Sequence, residues 1–253
     1  MKLGAVTYNL LKDWDVETII KKLEEAAFEA VELRTGHKHG VEPDLAAAER
    51  DRIRQRFERS KVRLLSYGTT CEFHSSDASV RQSHIETAKK FIELAHDTGA
   101  LGVKVRPNGF DSKVSQETTI QNIGDSLRVL GDYGAGRGVE IWLEVHGRDT
   151  AAPPVCAAIM KAARHNQVGL CWNSNAGEVV NGSIRQAFDL LRPWIKNVHI
   201  NELANNYPWR ELFTLLRQAK YERYTLAEVQ ESKEPERFLR WYRALWAELT
   251  RGS

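Results

Sequence analysis

With 253 residues, 42% of them hydrophobic and 28% charged, the chain is long enough for a large core and lacks the polar bias of a disordered protein. Thirty-six basic against 34 acidic residues leave a formal charge of +2, too balanced for nucleic acid or an anionic membrane surface to be the expected partner. Cys71, Cys156 and Cys171 lie far apart with no Cys-x-x-Cys pair, which argues against a disulfide framework or a zinc module and predicts buried free thiols in a reducing compartment.

The opening MKLGAVTYNL enters an apolar run almost at once, without the long apolar region and cleavage site of a signal peptide. No later segment approaches the roughly 20 apolar residues of a spanning helix. A soluble, cytoplasmic protein with no membrane partner is expected. Strand-like runs then follow at 3–8 (LGAVTY), 30–34 (AVELR), 62–68 (VRLLSYG), 101–107 (LGVKVRP), 139–146 (VEIWLEVH), 168–173 (VGLCWN), 195–201 (IKNVHIN) and 224–230 (YTLAEVQ). Between them lie segments with helical spacing, such as Val16, Ile19, Ile20 and Leu23, then Trp209, Leu212, Phe213 and Leu216, then Phe238, Trp241, Tyr242 and Leu245. Ser183 after Gly182 predicts one helix start, and Pro235 predicts the start of the last.

Eight alternating strand and helix units call for parallel strands joined by right-handed crossovers. The expected fold class is α/β, a single (β/α)8 TIM barrel occupying 1–253 as one domain. No G-x-G-x-x-G follows the first strand, which removes the main reason to expect an open dinucleotide-binding sheet.

Six of the strand ends carry polar residues two apart: Glu32 and Arg34, Lys104 and Arg106, Glu144 and His146, Asn173 and Asn175, His199 and Asn201, Glu228 and Gln230. Residues two apart on a strand share a face, so these pairs are expected to ring a polar pocket at the C-terminal rim. Any one pair is explained by loop capping or mutual ion pairs. Six together are costly to bury without a ligand, a metal or a dense hydrogen-bond network. Glu144, Asn173, His199 and Glu228 come from the last four strands and suit a hard or borderline divalent ion such as Mn²⁺, Mg²⁺ or Co²⁺. His146 is a candidate for binding a substrate hydroxyl. Arg34, Lys104 and Arg106 suit a carboxylate or phosphate, or else pair with Glu32 and Glu72. Asn175 and Asn201 complete the set expected to bind substrate. Tyr8 and Trp209 are candidate pocket walls, and Trp172 is expected to point into the helix layer.

At these residues the sequence resembles the xylose isomerase-like barrel family, which includes sugar isomerases, ketose 3-epimerases, inosose dehydratases and metal-dependent apurinic-site endonucleases. The phrases "AAFEAVELR", "IWLEVHG", "IKNVHINE" and "YTLAEVQES" carry the likeness, in register along nearly the whole chain. The resemblance implies one divalent metal, Mn²⁺ or Mg²⁺ foremost and Co²⁺ or Zn²⁺ as alternatives, held by Glu, Asp, His and Glu from strands 5 to 8. The matching positions are Glu144, Asn173, His199 and Glu228, with an amide where the family has Asp. Ala176 stands where members often have a His, and the common ending His-x-Lys-Asp is here His199, Ile200, Asn201 and Glu202.

By the same resemblance Glu144 and Glu228 are expected to act as ligands and as the acid/base pair. The expected function is isomerisation or epimerisation of a keto sugar by α-proton abstraction through an ene-diolate. A dehydratase or lyase with the same first step, acting on a keto sugar or keto-glycoside, is one alternative. The other is a non-catalytic carbohydrate-binding barrel that has lost its metal. Only His146 and His199, of eight histidines, sit at strand termini, which argues against a multi-zinc nuclease. The expected partner is therefore a small carbohydrate, and a homo-oligomer is compatible with the sequence.

Overall fold

The computed structural model describes residues 1–251. Strands and helices alternate as β1 (Lys2–Asn9), α1 (Val16–Glu25), β2 (Ala30–Arg34), α2 (Ala47–Glu58), β3 (Arg63–Glu72), α3 (Ala78–Thr98), β4 (Gly102–Arg106) and α4 (Gln116–Ala135). The second half continues with β5 (Glu140–Glu144), α5 (Pro153–Ala163), β6 (Val168–Asn173), α6 (Arg185–Leu191), β7 (Ile195–Ile200), α7 (Trp209–Gln218), β8 (Tyr224–Val229) and α8 (Pro235–Thr250). Each strand pairs in parallel with the next, and β8 pairs with β1 to close the barrel. The predicted (β/α)8 barrel is the observed fold. Among the described residues no helix is long and apolar enough to cross a membrane.

Alternation along the strands produces two apolar layers. Val31, Leu33, Val103, Val105, Ile141 and Leu143 belong to the continuous core shared with the helices. Val6, Ala30, Leu65, Trp142, Cys171 and Leu226 form a second, smaller cluster that plugs the barrel. Trp142 dominates this plug, and Gly102 on the adjacent strand makes room for it: a Cβ at 102 would lie 2.6 Å from the indole ring. Two residues beyond Ala30, Trp142, Cys171 and Leu226, on the same faces, come Glu32, Glu144, Asn173 and Glu228. The apolar plug is thus the floor on which the polar residues stand.

Local signals explain most boundaries. Asp15 accepts a hydrogen bond from the Thr18 amide at 2.8 Å and starts α1, and α8 begins at Pro235, where its missing N–H is not needed. At α6 the cap position is Ile184, one residue later than expected. Ser183 Oγ still accepts from the Arg185 amide at 3.1 Å, but it also donates to Glu211 at 2.7 Å and ties the turn to α7. The third strand runs four residues past its expected end at Gly68. Thr69 Oγ1 donates to the Lys104 carbonyl at 2.8 Å, and a register shift between Gly68 and Glu72 sets Glu72 beside Arg106.

Candidate active site

The ends of β5, β7 and β8 bring Glu144, His199 and Glu228 together, with one ligand atom from each lying within 4.8 Å of the others. His199 is fully buried. Its Nδ1 faces Glu228 Oε2 at 3.3 Å and Glu144 Oε1 at 3.7 Å, while Nε2 faces Glu32 Oε1 at 3.4 Å. Glu32, also fully buried, accepts a hydrogen bond from Ser66 Oγ at 2.8 Å through its other oxygen. The ring is therefore held between a buried carboxylate on one side and the two candidate ligands on the other. Nδ1 is within hydrogen-bond geometry of Glu228, whereas Nε2 and Glu32 Oε1 approach without forming a hydrogen bond and are left as buried polar atoms without a partner. A cation held by Glu144 and Glu228 would take the place of the Nδ1 proton, with the Glu32 charge on the far side of the ring. The donor set fits a divalent ion.

Burial works against charge on His199, yet its pKa lies well above the ordinary value. Cys171 adjoins the ring, but burial pushes its own thiol up to about 11, so it is neutral at physiological pH. The carboxylates of Glu32 and Glu228 are the physical cause. A cation among these acids satisfies the same field that otherwise protonates the imidazole.

Lys104 on β4 supplies a second cation. Its Nζ donates to Glu144 Oε2 at 2.6 Å, and both side chains are almost completely buried. Burial would lower the lysine pKa, but Glu144, Glu32 and Glu228 outweigh it and raise it above the ordinary value. Burial likewise opposes ionisation of Glu144, and Lys104 overcomes it and holds the carboxylate well below its usual range. The pair is ionised. Lys104 leaves Glu144 Oε1 to face His199 and Asn173.

Asn173 faces this cluster from the end of β6, where its Nδ2 donates to Glu144 Oε1 at 3.3 Å. Above lies a cavity of about 310 Å³ whose wall includes Tyr8, Arg34, Lys104, Arg106, His146, Asn201 and Gln230 as well as Glu144, Asn173 and Glu228. Arg106 Nη2 donates to Glu72 Oε1 at 2.6 Å, one of the two pairings the sequence suggests. Arg34 does not pair with Glu32, because that carboxylate turns inward to His199 and Ser66. His146 Nδ1 is buried with no hydrogen-bond partner.

Asn175 does not join the cavity wall, which corrects the expected alternation. β6 ends at Asn173, and a short 3₁₀ turn at Ala176–Glu178 follows, so the two-residue period has lapsed by 175. The Asn175 amide instead donates to the Val145 carbonyl at 2.7 Å and to Glu178 Oε1 at 3.1 Å. Trp209 is also absent from the wall: it is buried at the start of α7, against Tyr207 with ring centroids 4.5 Å apart. Trp172 packs on Phe188 in the helix layer, as expected. Glu32 is the site residue whose role the sequence misplaced. Its position two residues beyond the plug residue Ala30 was the available signal, obscured by the equally plausible partner Arg34.

Glu178 carries a pH prediction. Burial pushes its carboxyl from 4.5 up to about 8, against the hydrogen bonds from Tyr207 Oη and Asn175. The folded state thus holds this proton more tightly than the unfolded one. Its stabilisation is complete below about 4.5 and is lost as pH rises to about 8. Glu178→Gln removes the titration and is expected to exceed the parent in stability by about 1–3 kcal/mol above pH 8. Urea denaturation at about pH 5 and about pH 8.5 checks this; an equal difference at both values would exclude a buried, titrating Glu178.

The model of the xylose isomerase-like TIM barrel family matches residues 20–245. No curated protein matches the chain by sequence. Among solved structures, the D-psicose 3-epimerase of Clostridium cellulolyticum H10 superposes with a TM-score of 0.84 at 12% identity, over 100% of each chain. The 3-keto-D-glucoside 4-epimerase of E. coli superposes with a TM-score of 0.80 at 16% identity, over 98% of each chain. The IOLI protein, solved with a bound zinc atom, does so with a TM-score of 0.73 at 17% identity, over 99% of this chain and 96% of that one.

Proposed function

The chain belongs to the xylose isomerase-like TIM barrel family, and on that premise we propose that it is a divalent-metal-dependent isomerase or epimerase of a keto sugar. The observation that carries this reading is the convergence of Glu144, His199 and Glu228 within 4.8 Å, beneath a polar cavity of sugar size. Epimerases among the similar folds support it. Glu144, His199 and Glu228 would hold the ion, with the Asn173 carbonyl oxygen able to join them when its amide turns. Bound there, Mn²⁺ or Mg²⁺ supplies a Lewis acid that polarises the substrate carbonyl and acidifies the neighbouring C–H.

The chain's own residues divide the proton transfer between two faces. Glu228 is the more accessible carboxylate, with 21% of its side chain exposed against 4% for Glu144. We assign it removal of the α-proton, the electron pair passing to the carbonyl oxygen to give an ene-diolate. On the other face the Lys104 ammonium, 2.6 Å from Glu144, holds the nearest proton. Glu144 passes it to the ene-diolate, Glu228 releases the proton it took to solvent, and Lys104 regains one from solvent, so the turnover ends with all three groups as they began. Return to the same carbon epimerises, and return to the neighbouring carbon isomerises. His146, Gln230 and Asn201 line the cavity and would receive substrate hydroxyls, Asn201 through the hydrogen-bonding capacity left beside its bonds to Ser174 and Asn205.

Metal analysis of the purified protein and solvent-deuterium exchange over a panel of keto sugars test this reading. About one equivalent of ion, lost in Glu144→Gln, with deuterium entering next to the carbonyl, is the expected result. Protein that stays metal-free when supplied with Mn²⁺, yet binds sugar, would support a non-catalytic carbohydrate-binding barrel. The Lys104 ammonium already resting on Glu144 is the observation that favours that second reading.

Asn173→Asp adds a fourth carboxylate to Glu32, Glu144 and Glu228. Tighter Mn²⁺ binding is expected, by roughly tenfold or about 1.4 kcal/mol, with slower turnover as the ion's charge is more fully neutralised. Unchanged affinity in calorimetry would place residue 173 outside the ion's ligands.

A further inference from the structure

One wall of the cavity carries more positive charge than its carboxylates cancel. Lys104 is matched by Glu144 and Arg106 by Glu72, each at 2.6 Å. Arg34 is unmatched. Its Nη1 donates to the Thr35 carbonyl at 3.2 Å, and among the described residues no carboxylate lies within 4 Å of its guanidinium. Glu32, two residues earlier on the same strand, turns away from Arg34: one oxygen accepts from Ser66 Oγ and the other faces His199 Nε2 at 3.4 Å.

The path of the arginine is built into the barrel. Gly68 pairs with Arg34 in the β2–β3 register, and a Cβ there would lie 3.4 Å from Arg34 Cδ and 2.8 Å from Glu32 Oε1. A side chain at 68 would crowd both residues. The glycine lets Arg34 cross β3 toward the cavity, where Arg106 from β4 presents a buried Nε with no partner.

Charge decides what this arrangement receives. With a divalent ion bound, the four carboxylates of Glu32, Glu72, Glu144 and Glu228 would be set against that ion, Lys104, Arg106 and Arg34, which would leave one positive charge over, and Arg34, the cation with no carboxylate partner among the described residues, would carry it. Leaving it unmatched in a partly buried site is costly unless the ligand brings the counter-charge. We propose that the substrate is a keto sugar acid whose carboxylate is received by Arg34. A carboxylate supplies the single negative charge required and matches the planar guanidinium fork. A phosphate can bring two charges and would overshoot. The keto sugar rests on the function proposed above; recognition of the carboxylate is measurable without turnover.

The test is calorimetric titration of the Mn²⁺-saturated protein with 2-keto-D-gluconate, 5-keto-D-gluconate, D-fructose and D-fructose 6-phosphate. At least one keto acid is expected to bind tenfold or more tightly than D-fructose, and more tightly than the phosphate. Arg34→Gln should bring the ratio of acid to neutral sugar close to one, and Arg34→Lys, which keeps the charge without the fork, should preserve part of it. Circular dichroism controls for folding of both variants. The proposal is overturned if neither acid binds more tightly than D-fructose, if the phosphate binds most tightly, or if Arg34→Gln leaves the ratio in place. Deuterium exchange on the same samples separates it from the parent reading. Keto acids bound through Arg34 without α-proton exchange would sink the isomerase and keep this inference; exchange with no preference for acids would do the reverse.

Discussion

Glu228→Gln is expected to slow deuterium exchange at the substrate α-carbon by about three orders of magnitude, within the range contributed by a positioned general base. The amide cannot take the proton, and a neutral oxygen is a weaker ligand for a divalent ion. Mn²⁺ affinity should therefore fall in the same variant. The fold should survive, because Glu228 sits at the rim with part of its side chain in solvent and, among the described residues, hydrogen-bonds to His199 alone, at 3.3 Å. Measuring exchange at saturating Mn²⁺ separates the lost base from the lost ligand. A variant that keeps its exchange rate once the ion is saturating would remove Glu228 from the proton transfer and leave it as a ligand only.

Lys104→Met is expected to act in opposite directions on two quantities. In the metal-free protein it strips the cation from Glu144 and leaves only His199 to offset the buried acids Glu32 and Glu144 on its two sides, which should destabilise the fold by about 3–5 kcal/mol. The same substitution raises the negative potential at Glu144, His199 and Glu228 and frees Glu144 Oε2, so Mn²⁺ should bind more tightly than in the parent. Added Mn²⁺ should then recover more stability in the variant than in the parent, because an ion that binds only the folded state shifts unfolding in proportion to its affinity. Urea denaturation with EDTA and with Mn²⁺, alongside calorimetry, measures all three. Weaker Mn²⁺ binding in the variant would mean that Lys104 supports the ion's site rather than competing for its carboxylate.

These expectations depend on a feature that the strand pattern only half disclosed. The spacing of polar residues placed Lys104 and Arg106 together at one strand end, either as anion binders or as partners of Glu32 and Glu72, and of these pairings the barrel makes Arg106 with Glu72 while it gives Lys104 a partner the pattern did not suggest. Lys104 reaches across to β5 and Glu144, and Arg106 reaches back to Glu72 at the extended end of β3. Glu32 went to His199 rather than to Arg34. The pattern gives a side chain's face and height; which neighbour it meets depends on strand stagger and on local events such as the register shift after Gly68.

By itself, the sequence determined the architecture and the height of the polar layer. Eight apolar runs alternating with amphipathic segments admit few arrangements other than a closed parallel barrel, and the two-residue period carries each strand from an apolar plug to a polar end. The observed strands fall on the expected runs with small shifts at their ends, and Glu144, Asn173, His199 and Glu228 emerge on the inward faces of β5 to β8. Tertiary structure decided the pairings across the barrel: Glu32 set against the far side of the His199 ring, Lys104 laid on Glu144, Asn175 withdrawn from the cavity, and Arg34 left without a carboxylate partner among the described residues. The physical reason is that local periodicity is a short-range property of the backbone, whereas ion pairs form between strands far apart in sequence, and closure of the barrel alone sets which charged atoms come within reach of one another.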